Sequence, residues 1–490
     1  MRVKKIETDV LVIGGGAAGM RAAIAARDLG AEVVLLDKGV IGRSGTSGTL
    51  PYWNVSAPLV PEDRDKYFND LMKRSHGLAN PRLLKVLVEE AGNVVAELED
   101  FGNIFLRDAL GNVSPAHANG HSEARVLTPA YSWVMSMQLF KRGVKVFDEA
   151  FVASLIKHEE RIAGALAINL KDGELLVVKS KATILATGGF GHIFGMSSRP
   201  WRSANPIELT GDGHALAYEV GAELVDMEFH QVVLESQYAS LVGQTFISTA
   251  LALARALRSS TTFDEAPSLH HCLGGVVIDD HGRTNVPGLY ACGEVAGGLH
   301  LRSTDQLIGC LVFGKRAGES AAKEALSVDL PNELVEREVN KVLSVLRNSP
   351  RDPILPLELK RRLANVMWEK VALVKTEESL RDALKAVYEI KNLLPRMYVR
   401  DKSMLFNKEW IEALEVYNMV TVAEMVIRAS LLRRESRGVF KRVDYPNSDD
   451  RYLGNFYVKK VNGEMVLEFR PSLVNSAKQP CVVIASKDGI

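Results

Sequence analysis

Apolar and polar positions along this chain fall into three regimes, each predicting a different kind of element. Short apolar runs rich in β-branched residues predict strands at residues 9–13 (DVLVI) and 32–36 (EVVLL), with an Ala-rich amphipathic stretch between them. Residues 8–37 therefore read as strand, turn, helix, strand. Residues 150–186 belong to the same regime. FVASLIKH, IAGALAINL, ELLVVKS and ATILATGG, with a turn at Lys171-Asp172-Gly173, predict a β-meander ending in a buried strand. Tyr290 to Cys292 predicts another buried parallel strand. The second regime repeats apolar residues at intervals of three and four. It predicts helices within 63–101, one helix over 249–260, and from about Glu319 a bundle of charged, Leu-rich helices. The third has no period: residues 38–48, KGVIGRSGTSG, predict a loop without regular structure that offers many backbone N–H groups. The tail from Tyr452 predicts a hairpin around Asn462-Gly463.

The first unit carries chemistry. Gly14, Gly16 and Gly19 have GxGxxG spacing between strand and helix. The first glycine permits a tight turn, the second lets backbone approach a pyrophosphate, and the third allows close helix packing, so that the helix N-terminus faces the phosphates. Asp37 closes the second strand, where a carboxylate can accept hydrogen bonds from ribose hydroxyls. Two later strands end at glycines against the same crevice. One stops at Ala186-Thr187-Gly188-Gly189, the other at Gly293-Glu294, where a carboxylate can bond a ribityl chain. That late strand with a Gly-acid end belongs to FAD folds and not to simple NAD folds. Thr210-Gly-Asp-Gly213 opens a helix in which Asp212 either caps or meets a ligand.

Composition narrows the partners. Across 490 residues Lys plus Arg equals Asp plus Glu, 60 against 60, which gives nucleic acid no electrostatic footprint. Cys272, Cys292, Cys310 and Cys481 lie far apart without a CxxC pair. A disulfide framework, a zinc site and an iron–sulfur cluster of the chain's own are therefore not expected, and no metal ligands are assigned. A reducing cytoplasm fits this cysteine usage. The start MRVKK lacks a small-residue cleavage site after its apolar run, and no apolar stretch is long enough to span a bilayer. Membrane association is expected only through partner subunits.

Together these motifs resemble the flavoprotein family of succinate dehydrogenase, fumarate reductase and L-aspartate oxidase, with adenylylsulfate reductase α subunits more distant. The resemblance covers most of the chain. It rests on IGGGAAG, GRSG at 42–45, LATGG at 185–189, TGDG at 210–213, DMEF at 226–229, VPGLYACGEVAGG at 286–298, VFGKRAG at 312–318, ESRG at 435–438 and DYP at 444–446. It implies FAD held by Gly14, Gly16, Ala17, Ala18, Gly19, Asp37, Lys38, Arg43, Ser44, Thr46, Ala186, Thr187, Gly188, Asp212 and Glu294. It also implies a helix starting near Leu307 that points its N-terminus at the flavin N1–O2 edge. Members that bind flavin covalently carry His where this chain has Gly45, so FAD is expected to be non-covalent.

Departures from the family pattern fall at the substrate end. Val233 stands where a substrate-binding His is usual, and His230, three residues earlier on a strand, faces the other way and reads as an ordinary core histidine. The capping domain that carries the family's proton-transferring arginine is reduced here to a short segment. Arg255 and Arg258 lie on it, as a solvated helix face or as replacements. His270 falls at the family's second substrate histidine. Arg302 supplies, from a displaced position, the charge that grips a carboxylate.

The expected fold is α/β: a Rossmann-like FAD-binding domain of fumarate reductase flavoprotein type, with a reduced capping segment and a C-terminal helical bundle. The expected divisions are 1–228 and 270–325 for the FAD-binding domain, 229–269 for the truncated cap, 326–451 for the helical domain and 452–490 for a β-rich tail. The expected function is hydride transfer between flavin N5 and a small carboxylated substrate, with electrons exchanged through an iron–sulfur partner. Alternatives are a free-standing L-aspartate oxidase-like or adenylylsulfate reductase α-like enzyme, and a non-catalytic FAD-containing electron-transfer or assembly subunit.

Overall fold

A computed structural model describes residues 2–49, 53–195, 206–236, 265–326, 328–373, 375–473 and 482–484. The predicted opening strand is longer than its apolar core. It runs Val3–Ile13, because the polar residues of the start also pair, Val3 with Leu175 through Thr8 with Ser180. It lies parallel between Val33–Leu36 and Glu174–Leu185, and Lys145–Phe147 adds a further parallel strand beyond Val33–Leu36. ELLVVKS and ATILATGG, predicted as two runs, form the single strand Glu174–Leu185, since Lys181 between them is not a breaker. Its first half pairs antiparallel with Arg161–Asn169, and its last three residues pair parallel with Leu289–Ala291. Three parallel strands thus deliver their carboxyl ends, at Ile13, Leu185 and Ala291, to one edge, where ligands of open α/β sheets bind.

Small residues hold the helical layer close to the sheet. Thr304–Lys323 packs on Ala17–Asp28, and a Cβ at Gly314 or Gly318 would lie 2.6 Å from Ala18 O or 2.2 Å from Ala22 O. The predicted helices of 63–101 are Arg64–Arg74 and Pro81–Asp100, the second capped by the Asn80 side chain. The bundle comprises Asn332–Arg347, Pro356–Met367, Glu377–Leu393 and Lys408–Leu432. Buried positions on Lys408–Leu432 run all round the helix, as expected of one enclosed by its neighbours.

The tail hairpin, Gly454–Val461 with Glu464–Pro471, turns at Asn462-Gly463 with both residues at positive φ. Its first strand pairs with Leu224–Val225, so it is stitched to the cofactor-binding part. ESRG has a structural role. Arg433, wholly buried just before it, donates to Glu228 Oε1 (2.7 Å), to Glu435 Oε1 (2.9 Å), and to the carbonyls of Tyr452 and Gly454. Arg437 also donates to Glu435. The helix predicted over 249–260 lies outside the described residues. No described helix is long and apolar enough to cross a membrane.

Candidate functional site

The fingerprint glycines meet three different surroundings. Gly14 sits at φ 107°, and a Cβ there would stand 2.3 Å from Ala186 O. A Cβ on Gly19 would fall 1.9 Å from Gly14 O, so this glycine serves helix packing and does not line the cavity. Gly16 is the open one: among the described residues only Ser47 Oγ, at 3.5 Å, lies near its Cβ position. Together with Gly14, Ala17 and Ala18 it walls a cavity of about 410 Å³ at the sheet edge.

Other expected cofactor residues converge on the same cavity. Asp37, Lys38, Ser44 and Thr46 line one side, Ala186, Thr187 and Gly188 another, and Glu294 and Leu307 a third. Burial pushes the Asp37 carboxyl up, against hydrogen bonds it accepts from Ser44 Oγ and from Gly15 N–H. Arg43 is exposed and does not line the cavity. The loop at 38–48, expected to lack regular structure, ends in a helical turn, Gly45–Thr49, and Ser47 Oγ accepts from Ala17 N–H at 3.1 Å. The helix expected near Leu307 begins one turn earlier, at Thr304.

Asp212 is not a cap. Its side chain makes no capping bond. Instead it accepts from Lys38 Nζ (2.8 Å), Thr210 Oγ1 (2.9 Å) and Asn418 Nδ2 (2.8 Å), and it lines the cavity. Lys38 Nζ also donates to Glu415 Oε1 at 2.8 Å, and Glu415 accepts from Lys360 at 2.7 Å. Burial works against the Lys38 ammonium, but Asp212 and Glu415 outweigh it and raise its pKa. A charge chain thus runs from the cavity wall into two helices of the bundle.

The far end is built from charges and imidazoles. His270 and His271 both line the cavity, with ring centroids 4.0 Å apart. Burial, and then His271, depress the His270 pKa well below the usual value. Ser303, Thr304 and Gln306 line the cavity beside them. Arg302, one residue earlier, does not line it, and its side chain makes no hydrogen bond or ion pair among the described residues. Burial, with Arg74 as a second cause, lowers the Arg302 pKa to about 10. Arg74, by contrast, meets both Asp305 and His121 through Nη1, and Tyr67 Oη donates to Asp305 at 2.8 Å. Arg255 and Arg258 lie outside the described residues. His230 is a core histidine: Nε2 lies 3.0 Å from Ala372 O and its ring packs on Phe194.

Sequence reasoning missed His271, Ser47, Cys310 and Phe151 in the lining, and the Arg74–His121–Asp305 cluster beside it. GHS at 120–122 offered no spacing signal, because its partners are 47 and 184 residues away.

The cavity fits FAD on its own chemistry. It has an open glycine cradle at a helix N-terminus, a carboxylate after the second strand, and the Thr187 hydroxyl buried without a hydrogen-bond partner among the described residues. The FAD binding domain family matches residues 9–258 and 260–304, and the fumarate reductase flavoprotein C-terminal family matches 360–481. A fumarate reductase (CoM/CoB) chain of Methanothermobacter marburgensis is 30% identical, over 91% of this chain and 96% of that one. The fumarate reductase flavoprotein subunit of Mycobacterium tuberculosis is 27% identical over 91% and 93%. Among solved structures, the Sdh1 complex of Mycobacterium smegmatis in the apo form superimposes with TM-score 0.86 at 25% identity, covering 96% of this chain and 95% of that one. The protein is an FAD-dependent oxidoreductase. It belongs to the fumarate reductase and succinate dehydrogenase flavoprotein family.

Proposed function

We propose that the chain transfers hydride between N5 of a non-covalently held FAD and a small substrate bearing a carboxylate, and exchanges electrons with an iron–sulfur protein. The observation that carries this reading is Arg302. A half-buried guanidinium without a counter-ion among the described residues, its Nε wholly buried, is costly, and an anion arriving beside it relieves that cost. The carboxylate is the anion that the neighbouring chemistry suits. It would sit next to Ser303 and Thr304, at the N-terminus of Thr304–Lys323, whose dipole favours negative charge. Bound FAD supplies the hydride-accepting or hydride-donating atom. His270 presents an imidazole at that end, and Arg255 and Arg258 remain the candidates for proton transfer.

Non-covalent attachment is supported by Gly45, which offers no nucleophile and has nothing within 4 Å of its Cβ position among the described residues. The partner is supported by electron accounting, since among the described residues no cluster of three metal-ligating side chains is placed to hold a metal. A further support is an exposed apolar stripe, Trp133, Met137 and Phe140, on the helix Ser132–Lys141, whose Ser132 hydroxyl donates to Gly42 O in the cofactor loop.

The test is an anaerobic assay with reduced viologen against fumarate and a series of monocarboxylates. Arg302→Gln is expected to keep its FAD and to raise KM for the preferred acid at least tenfold. Unchanged KM in that variant would overturn the role of Arg302. After acid precipitation, flavin should stay in the supernatant, and flavin in the washed pellet would overturn non-covalent binding.

A further inference from the structure

Consecutive side chains on a strand point to opposite faces, yet His270 and His271 both enter the cavity. A bulge explains it. In the antiparallel pair of His230–Ser236 with Glu265–Cys272, Gln231 pairs with His271 and Val232 with Leu269, which leaves His270 as the extra residue. The bulge turns the second imidazole towards the cavity, next to Glu294. His271 Nδ1 lies 3.8 Å from Glu294 Oε1, within reach of an ion pair but without a hydrogen bond. Glu294 is itself fixed, because Oε1 accepts from Cys272 N–H at 2.9 Å.

We infer that His271 is the group that takes up a proton when FAD in this cavity is reduced, and that Glu294 holds the resulting imidazolium. The inference rests on the reading that FAD occupies this cavity. Two electrons from a reductant such as dithionite, with one proton at N5, leave the reduced ring with one negative charge. A second proton, from water, then goes to the His271 imidazole and balances that charge. On protonation the gap of 3.8 Å to Glu294 can close to a charge-assisted hydrogen bond, typically about 2.7–2.9 Å.

The other ionisable groups packed around the pair do not compete. His214, on Asp212–Glu219, is pushed down to about 4 by burial. Burial raises the thiols of Cys272 and Cys310. His270, on the same strand, is held neutral by burial and by His271 itself.

The experiment is a spectroelectrochemical titration of the FAD-loaded protein between about pH 5.5 and 9, with proton uptake followed on reduction. In the pH range where His271 is neutral in the oxidised protein and protonated in the reduced protein, each two-electron reduction should take up one additional proton, and outside that range it should not. The equilibrium constant then changes by a further factor of ten per pH unit, which for a two-electron couple is about 30 mV. The absorption of the reduced flavin should stay constant through the break. His271→Gln and His271→Asn should lose both the break and the additional proton, while His270→Gln keeps them. No break in the native protein, a spectral change at the break that puts the proton on the ring, or a break that persists in His271→Gln would each overturn the inference. The native spectra decide it even where neither variant folds. Flavin content equal to wild type in Gly16→Val would instead overturn the placement of FAD.

Discussion

The two ends of the cavity are built on different principles. At the fingerprint end the work is done by backbone and by the absence of side chains: Gly14 and Gly19 let neighbouring backbone close in, Gly16 leaves a volume open, and the nearby charges, Lys38, Asp212 and Glu415, satisfy one another. At the far end the decisive feature is a charge left over. Arg74 is paired with Asp305 and His121, whereas the Arg302 side chain makes no polar contact among the described residues. Arg433 shows what a structural buried arginine looks like in the same protein, with two carboxylates and two carbonyls around it. Shape defines the first end, and an unmet electrostatic need defines the second.

The largest effect should come from valine at the third fingerprint glycine. Gly19→Val puts its Cβ into the Gly14 carbonyl, 1.9 Å away, and is expected to leave little folded protein. Among the described residues the Cβ of Gly16→Val meets only Ser47 Oγ at 3.5 Å, so the variant should fold and yet bind no FAD. Circular dichroism with flavin content separates the two. If Gly16→Val were unfolded as well, the contrast between a packing glycine and a cradle glycine would fail.

Next in size is the pair of arginines. Arg433→Met strands Glu228 without its counter-ion, leaves Glu435 with Arg437 alone, and should cost roughly 3–5 kcal/mol in denaturant unfolding. Arg302→Met removes a charge that has no partner among the described residues and should leave stability unchanged or raise it by about 1 kcal/mol. Equal losses would erase the distinction between structural and functional guanidinium.

The smallest effect is in pH dependence, where the two arginine environments have opposite signs. Burial works to raise the Asp305 pKa, but His121, Arg74 and Tyr67 outweigh it and hold it below the usual carboxylate value. Its stabilisation is therefore present above about pH 4 and is lost as pH falls through the depressed pKa. For Arg302 the folded pKa, about 10, lies below the usual guanidinium value, so the charge destabilises the fold throughout the neutral range. That penalty shrinks only as pH rises through about 10. Urea midpoints in Asp305→Asn should flatten the acid limb, and those in Arg302→Gln should leave it in place.

Most of the fingerprint end was legible in the sequence because its signals are local. Gly14, Gly16 and Asp37 belong to one strand–helix–strand unit, and Glu294 follows its strand by three residues. Asp212 was ambiguous because its partners, Lys38 and Asn418, are 174 and 206 residues away. His270 was found through a family position, but His271 was invisible, since the alternation rule assigns it to the opposite face and only the bulge reverses that. Arg302 was expected from resemblance. That it stands without a counter-ion among the described residues is a property of the surrounding fold and cannot be read from any stretch of sequence. The continuity of 174–185 was missed because the polar residues Lys179, Ser180 and Lys181 interrupt the apolar run, although the strand passes through them.

The bond from Lys38 to Glu415 spans 377 residues of chain. During synthesis the nucleotide fold emerges from the ribosome first, and the carboxylate that completes its wall emerges near the end. Until Lys408–Leu432 has been made and docked, Lys38 and Asp212 stand without Glu415 and Asn418, and the early half of the site waits on the late half. Closing so long a loop is slow compared with forming the local strand–helix–strand unit. Acquisition of the cofactor thus has a built-in order, with the first residues translated among the last to be finished.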